Sequence, residues 1–146
     1  MSNRPHSIHH VNVPISDPKR TADWYGKVFG LSEIPRPFKQ GGAPGVEEVL
    51  LLTRGNFDLH FTVHENPPDL KPHHFCIEVD DWEGFMEHLA QLGIDHLEIF
   101  ERPQNRSKAT YIHDPDQNLI ELSHHGDWDH SLAQTGIAAH DPGARV

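Results

Sequence analysis

The stretch His9-His10-Val11-Asn12-Val13-Pro14-Ile15-Ser16-Asp17 is matched, 64 residues further on, by His73-His74-Phe75-Cys76-Ile77-Glu78-Val79-Asp80-Asp81. Both copies alternate between two side-chain classes over most of their length and end in an aspartate. This pattern is typical of a half-buried β-strand that runs into a helix N-cap. An internal repeat of this kind predicts a chain built from two copies of one supersecondary unit.

A helix is predicted after each copy of the repeat. Asp17 caps the first helix, with Pro18 at its first position, and Asp81 caps the second. Gly30 and Gly93 stand where a left-handed residue ends a helix. The apolar stripes have helical spacing: Ala22, Tyr25, Val28 and Phe29 in the first helix, and Trp82, Phe85, Met86, Leu89 and Leu92 in the second.

Three short β-type runs separated by turns follow each helix. They are Ser32–Arg36, Glu47–Thr53 and Phe57–Glu65 in the first half, and His96–Glu101, Ala109–His113 and Asn118–His124 in the second. The sequence therefore predicts an α+β fold of two tandem βαβββ modules, at about residues 6–66 and 70–125. These modules form a single domain over residues 1–126, and residues 127–146 form a C-terminal tail.

The amino-acid composition excludes several classes of partner and of metal site. The 146 residues carry 22 Asp+Glu against 12 Lys+Arg, a formal net charge of −10, which argues against nucleic acid and anionic membranes as partners. The one cysteine excludes an internal disulfide and a multi-cysteine zinc site. Fourteen scattered histidines point to a His/carboxylate metal site. We find no targeting signal or membrane-spanning run, and therefore expect a cytoplasmic protein.

Strand alternation puts the ionisable side chains on one face of the predicted sheet, opposite an apolar face suited to lie under the helices. The ionisable face carries His10, Asn12, His60, Thr62, His74, Cys76 and Glu121. We therefore expect a cupped, mixed or antiparallel sheet with a metal-lined concave face and with the helices on its outer face. The alternative is an ordinary solvated face. His6, His88, His96, His130 and His140 are expected at the surface.

Two further motifs link the chain to a known family. The opening Ile8–Val13 runs into Asp17, Trp24-Tyr25 and Phe29-Gly30-Leu31, and the chain later reads Tyr111-Ile112-His113-Asp114-Pro115-Asp116-Gln117-Asn118-Leu119-Ile120-Glu121-Leu122. Over about residues 6 to 125 the sequence resembles the vicinal oxygen chelate superfamily, and is nearest to its type I extradiol dioxygenase-like single-domain members. The superfamily also includes glyoxalase I, bleomycin- and fosfomycin-resistance proteins and methylmalonyl-CoA epimerase.

The resemblance implies a divalent metal held by His10, His74 and Glu121. Two imidazoles and one carboxylate suit non-haem Fe(II) best and admit Mn(II), with Ni(II) or Zn(II) as alternatives. His60 matches a catalytic acid–base histidine, and its rival roles are a fourth metal ligand or an inert wall. Tyr111 matches a tyrosine that hydrogen-bonds substrate, or else is a packing residue. Asn12, Thr62, Cys76 and His113 are expected to line the substrate pocket.

The leading functional hypothesis is an extradiol-type dioxygenase that cleaves a catechol-like ring with O2, in aromatic catabolism, and acts as a homodimer. The alternatives are a glyoxalase I-like metal-dependent isomerase or lyase, and a resistance protein that binds a small molecule or drug without turnover. Two departures bear on the choice: Arg102 stands where the extradiol pattern has a histidine, and Gln117 stands where its turn has a glycine.

Overall fold

The fold is described from a computed structural model over residues 3, 5, 7–35, 48–104 and 106–126. The first module consists of β1 (His10–Ile15), α1 (Pro18–Phe29), β2 (Ser32–Glu33), β3 (Val49–Thr53) and β4 (Asp58–Val63). The second consists of β5 (His74–Glu78), α2 (Trp82–Gln91), β6 (Phe100–Arg102), β7 (Ser107–His113) and β8 (Leu119–His124). The predicted βαβββ order is therefore confirmed in both halves. Neither helix is long and apolar enough to cross a membrane.

Each module forms its own four-stranded mixed sheet. The strand orders are β1-β4-β3-β2 and β5-β8-β7-β6. In both sheets the first strand pairs in parallel with the last (β1 with β4, β5 with β8), and the remaining pairs are antiparallel. Where one cupped sheet was expected, the described residues form two separate four-stranded mixed sheets, and β1 and β5 each lie at the edge of their own.

The helix ends follow the capping residues in the sequence. The Asp17 carboxylate accepts a hydrogen bond from the Arg20 backbone N–H at 3.1 Å, and Gly30 ends α1 with a φ of 69°. The Asp81 carboxylate accepts from the Gly84 N–H at 3.0 Å. The second helix ends one residue earlier than the glycine suggested, with Leu92 as its cap residue and Gly93 next at a φ of 68°.

Several strands are shorter than predicted. The run His96–Glu101 was expected to be one strand, but β6 covers only Phe100–Arg102. Leu97 and Ile99, which β6 does not include, are both exposed, so their β propensity is not supported by burial. The predicted strand at Ser32–Arg36 is reduced to Ser32–Glu33. Arg36, Glu47 and the tail 127–146 lie outside the described residues.

A buried polar network joins the two modules. The Tyr25 hydroxyl in α1 donates to Oδ2 of Asp114, just after β7, at 2.8 Å. The Asn118 side-chain amide donates to the same carboxylate at 2.9 Å and to the Pro14 carbonyl oxygen in β1 at 2.8 Å. Because all four residues are buried, the network fixes where β8 begins relative to β1.

His88 corrects one prediction. It was expected at the surface, but it is half-buried, and its Nε2 lies 3.0 Å from the Lys27 carbonyl oxygen and 3.2 Å from that of Val28. These carbonyls lie in the last turn of α1, where backbone oxygens lack helical partners. His88 therefore links α2 to the end of α1, beside the stacked rings of Phe29 and Phe85.

We predict that Tyr25→Phe changes the alkaline stability profile. Burial, reinforced by the negative charge of Asp114, raises the pKa of Tyr25 well above 10.0. The folded chain therefore keeps a proton that the unfolded chain releases, and wild-type stability falls above this pH by up to about 1.4 kcal/mol per pH unit. Urea unfolding between pH 8 and 11 should show a shallower fall for Tyr25→Phe. Parallel profiles would contradict this, whatever stability the variant loses at pH 8.

Candidate metal centre

His10 and His60 lie on adjacent parallel strands of the first module. In the register of β1 and β4, His10 is opposite Asp58 and Asn12 is opposite His60. The rings of His10 and His60 stack, with centroids 3.7 Å apart and an interplanar angle of 21°. The Thr62 hydroxyl donates to the Asn12 side-chain oxygen at 3.0 Å. These predicted residues therefore lie together on one face, as strand alternation indicated.

The second module brings together another set of predicted residues. His74 Nε2 lies 2.9 Å from Oε2 of Glu121. Cys76 and Tyr111 are the register partners of Glu121 on the two strands that flank β8. The Tyr111 ring meets the His74 ring edge-on, with centroids 5.2 Å apart. Tyr111 is thus close enough to act beside His74 and Glu121.

The orientation of His74 suits a metal ligand. Its Nδ1 lies 2.9 Å from the Pro72 carbonyl oxygen, which can only accept, so Nδ1 carries a proton. Nε2 then points at the Glu121 carboxylate, where a bare lone pair would be repelled. The bond to Pro72 and the nearby Glu121 both raise the pKa of His74. A proton on Nε2 satisfies this contact, and a divalent metal bound by both groups is the alternative that the same donor pair allows.

The third predicted ligand, His10, groups instead with His9 and His60. Ligand atoms of these three histidines all lie within 4.8 Å of one another, and no other such group of three His, Cys, Asp or Glu occurs among the described residues. We call His9, His10 and His60 the first half-site, and His74 with Glu121 the second half-site. The triad His10, His74 and Glu121 is therefore divided between them and stays a prediction.

Two residues here were not predicted: His9, which belongs to the first half-site, and Asp58, which lies beside it. The predicted ligand was His10 and not His9, but His9 precedes the first residue of β1, so strand alternation does not decide where its ring points. The Asp58 Oδ2 lies 3.7 Å from Nε2 of His9 and 3.7 Å from Nε2 of His60. Asp58 could have been found, because a spacing of two residues places it on the same strand face as His60.

His60 carries a neutral ring near neutral pH. Burial has the largest effect on the pKa of His60 and lowers it. The neighbouring His10 lowers this pKa further, while Asp58 acts in the opposite direction. A neutral imidazole can accept a proton or bind a metal. Tyr111 differs, because burial and the charge of Glu121 raise the pKa of its phenol. Tyr111 therefore stays protonated and available as a hydrogen-bond donor.

Two cavities lie along the edges of β1 and β5. The larger, of about 240 Å³, has a mixed lining that includes Val11, Phe57, Phe75, Ile77, His9, His10, Asp58, Cys76 and Glu78. The smaller, of about 160 Å³, includes Asn12, His73, His74 and Leu119 in its lining. Each half-site therefore contributes a histidine to a cavity. Of the predicted pocket residues, Asn12 and Cys76 line these cavities, whereas Thr62 and His113 do not.

Two tandem βαβββ modules, each a four-stranded mixed sheet, define the class of fold to which this chain belongs. The sequence profile of the Glyoxalase/Bleomycin resistance protein/Dioxygenase superfamily matches residues 7–122. The chain belongs to this superfamily.

The chain is also similar to one protein of known sequence and to one of known structure. The uncharacterized protein YwkD of Bacillus subtilis is 23% identical over 123 residues, which cover 80% of this chain and 94% of YwkD. A solved glyoxalase-family protein from Bacillus anthracis superposes with a TM-score of 0.69 at 27% identity, covering 86% of this chain and 99% of its own.

Two further solved structures share the fold at lower identity. Lactoylglutathione lyase from Agrobacterium tumefaciens has a TM-score of 0.64 at 22% identity, with 85% of this chain and 97% of that one covered. The fosfomycin resistance protein FosX from Listeria monocytogenes has a TM-score of 0.64 at 15% identity, with 81% and 92% covered. These two similarities describe the fold alone.

We predict that Cys76 is a slow nucleophile although the residue is exposed. Burial of its sulfur, with the charge of Glu121 next in importance, raises the thiol pKa from 9.0 to about 11. At pH 8 the thiolate fraction should then be about 100-fold below that of an ordinary thiol, and alkylation slower by a similar factor. Iodoacetamide labelling followed by mass spectrometry measures this rate. Labelling of the native chain as fast as that of the urea-unfolded chain would contradict the prediction.

Proposed function

We propose that this protein is a metal-dependent enzyme for a small substrate with two adjacent oxygen atoms. His10, His74 and Glu121 would hold the metal, and His60 would transfer a proton. The observation that carries this proposal is the His74–Glu121 pair, because Pro72 orients the His74 ring so that Nε2 faces the carboxylate at 2.9 Å. Such support behind a histidine is the usual arrangement for a metal ligand.

Each residue has a role that its surroundings support. A bound divalent metal would act as a Lewis acid on the two substrate oxygens. His60, neutral and stacked on His10, accepts a proton from the substrate at a ring nitrogen. Tyr111 donates its phenolic hydrogen to a substrate oxygen. The apolar part of the larger cavity, including Phe57, Phe75 and Ile77, covers a small organic molecule and keeps water from it.

The specific reaction that we propose is extradiol ring cleavage of a catechol-like substrate with Fe(II) and O2. Two histidines and one carboxylate leave open metal positions for a chelating diol and for oxygen, which is the arrangement of non-haem Fe(II) oxygenases. His60 stands beside His10, and Tyr111 beside His74, so a proton acceptor and a hydrogen-bond donor flank the predicted metal. The cavity of about 240 Å³ suits a single-ring substrate better than a larger one.

A glyoxalase-like isomerase or lyase is the second candidate. One observation favours it: a ligand atom of His60 lies within 4.8 Å of one of His10, which is close enough for both to bind the same ion after a small adjustment. With four protein ligands, fewer metal positions remain for O2, and Ni(II) or Zn(II) becomes the expected metal. His60 thus decides between the two reactions.

We predict that His60→Gln separates these functions. If His60 transfers protons, metal content stays near that of the wild type and turnover falls by about 10²–10⁴-fold. Metal content is measured after anaerobic purification, and activity by oxygen uptake with a panel of catechols under Fe(II). His64→Gln, an exposed residue just beyond the same strand, is the matched control and should leave both unchanged.

Other results would change the assignment. A tenfold or greater loss of metal affinity in His60→Gln would make His60 a ligand and favour the isomerase. No oxygen uptake with any catechol, together with Ni(II)- or Zn(II)-dependent isomerisation, would overturn the dioxygenase. Recovery of every offered small molecule unchanged from the metal-loaded protein would leave a binding protein of the same fold.

We also propose a homodimer in which the first half-site of one chain meets the second half-site of its partner. The division of the predicted ligands within one chain supports this arrangement, since His10 groups with His9 and His60 and not with His74 and Glu121. A second copy would supply the missing ligands at both sites through two-fold symmetry.

Mixing two inactive variants tests the shared site. His10→Ala and Glu121→Gln should each abolish activity alone. When they are unfolded together and refolded, mixed dimers have one intact site, and activity should recover to about a quarter of the wild-type value. Each variant refolded alone is the control. No recovery in the mixture, with normal dimers by light scattering, would show that each site is completed within one chain.

A further inference from the structure

The ring nitrogens of His9 and His10 are spaced like two ligands of one metal ion. Their Nδ1 atoms are 3.0 Å apart. Two nitrogens that bind one ion at about 2.0–2.1 Å lie about 2.9–3.4 Å from each other for bond angles between 90° and 109°. The pair therefore already has the spacing of a chelate, with no change in the backbone.

His60 supplies a third nitrogen to the same place. Its ring is stacked on that of His10, and a ligand atom of each histidine lies within 4.8 Å of those of the other two. To bind one ion, the three nitrogens would close from separations of up to 4.8 Å to about 3 Å through rotation of the exposed side chain of His9 and the half-buried one of His60. Rotamer changes of exposed side chains such as that of His9 take place in picoseconds to nanoseconds.

The charges around the three rings favour a cation. The Asp58 carboxylate lies 3.7 Å from Nε2 of His9 and from Nε2 of His60, and its side chain is only 16% exposed, so its charge is weakly screened. A carboxylate behind a metal-binding imidazole orients the ring and strengthens the bond. Imidazole ligands select Zn(II), Cu(II), Ni(II) or Co(II) over Mg(II) and Ca(II).

The site is open to solvent on one side. The His9 side chain is 75% exposed, whereas that of His60 is 20% exposed. His9 and His10 also line the cavity of about 240 Å³. An ion held by three rings there keeps at least one position for water or a small ligand, as in open tetrahedral zinc sites.

We propose that the first module has a metal site of its own, formed by His9, His10 and His60 with Asp58 behind the rings. It takes a divalent transition metal and needs neither His74 nor Glu121. Because His10 belongs also to the triad proposed above, the two binding modes exclude each other. This inference does not rest on the proposed enzymatic function, since metal binding alone defines it.

The test uses the full chain with His74→Ala and Glu121→Gln together, which removes the second half-site. Zn(II) binding is measured by calorimetry, and Co(II) binding by visible absorption, which reports nitrogen coordination. We expect one ion per chain in this background. Adding His9→Ala should weaken binding by at least about tenfold, and adding Asp58→Asn should weaken it with the stoichiometry unchanged.

His73→Ala is the matched control, because His73 is the repeat counterpart of His9 and is also exposed. It should leave Zn(II) affinity within about twofold of the background, which is within the usual scatter of such measurements. Failure of the background to bind Zn(II) would overturn the proposal, as would equal losses from His9→Ala and His73→Ala. Circular dichroism confirms that each variant is folded.

Discussion

The buried carboxylate of Asp114 is the group on which the arrangement of the two modules depends. Only 2% of Asp114 is exposed, and it accepts hydrogen bonds from the Tyr25 hydroxyl, the Asn118 side chain and the backbone N–H groups of Asp116 and Asn118. Burial raises its pKa, while these hydrogen bonds act in the opposite direction. A carboxylate without such donors would be too costly to bury, so the partners and the acid require each other.

This network also sets the geometry of the candidate site. Asn118 immediately precedes β8, which carries Glu121, and it donates to Pro14 in β1, the strand that carries His10. Ser16, just after β1, adds a bond from its hydroxyl to Asp116 at 2.6 Å. These hydrogen bonds tie together the strands that carry the metal-ligand candidates. Rigid support of this kind keeps a functional site in place.

Parallel pairing of the first and last strand makes each half-site. In each module this pairing sets a histidine of the first strand beside an ionisable residue of the last: His10 near His60, and His74 near Glu121. The repeat therefore duplicates a place for ligands, and the residues at those places differ between the copies. The first copy has three imidazoles and the second has an imidazole and a carboxylate.

The order of the elements could be predicted because it depends on local signals. Alternation in β1 and β5, the aspartate caps and the glycines after the helices are all short-range features, and the structure has them within one or two residues. The predictions failed for residues whose conformation depends on whether other parts of the chain cover them. The run 96–99 has apolar residues but no covering layer, and His88 is drawn inward by free carbonyls of a helix 60 residues away in sequence.

For the candidate metal site too, some features depend on local sequence and others on the tertiary structure. The sequence by itself determined which residue types stand on which strand face, since a period of two is a property of the extended chain. It therefore placed His10, His60, His74 and Glu121 on one face, and the resemblance to the superfamily made them candidate metal-site residues. Only the tertiary structure decided how they group, because the distance between side chains on different strands depends on pairing, register and the contact between the modules. That is why His9 and Asp58 join His10 and His60 on one side, while His74 and Glu121 pair on the other.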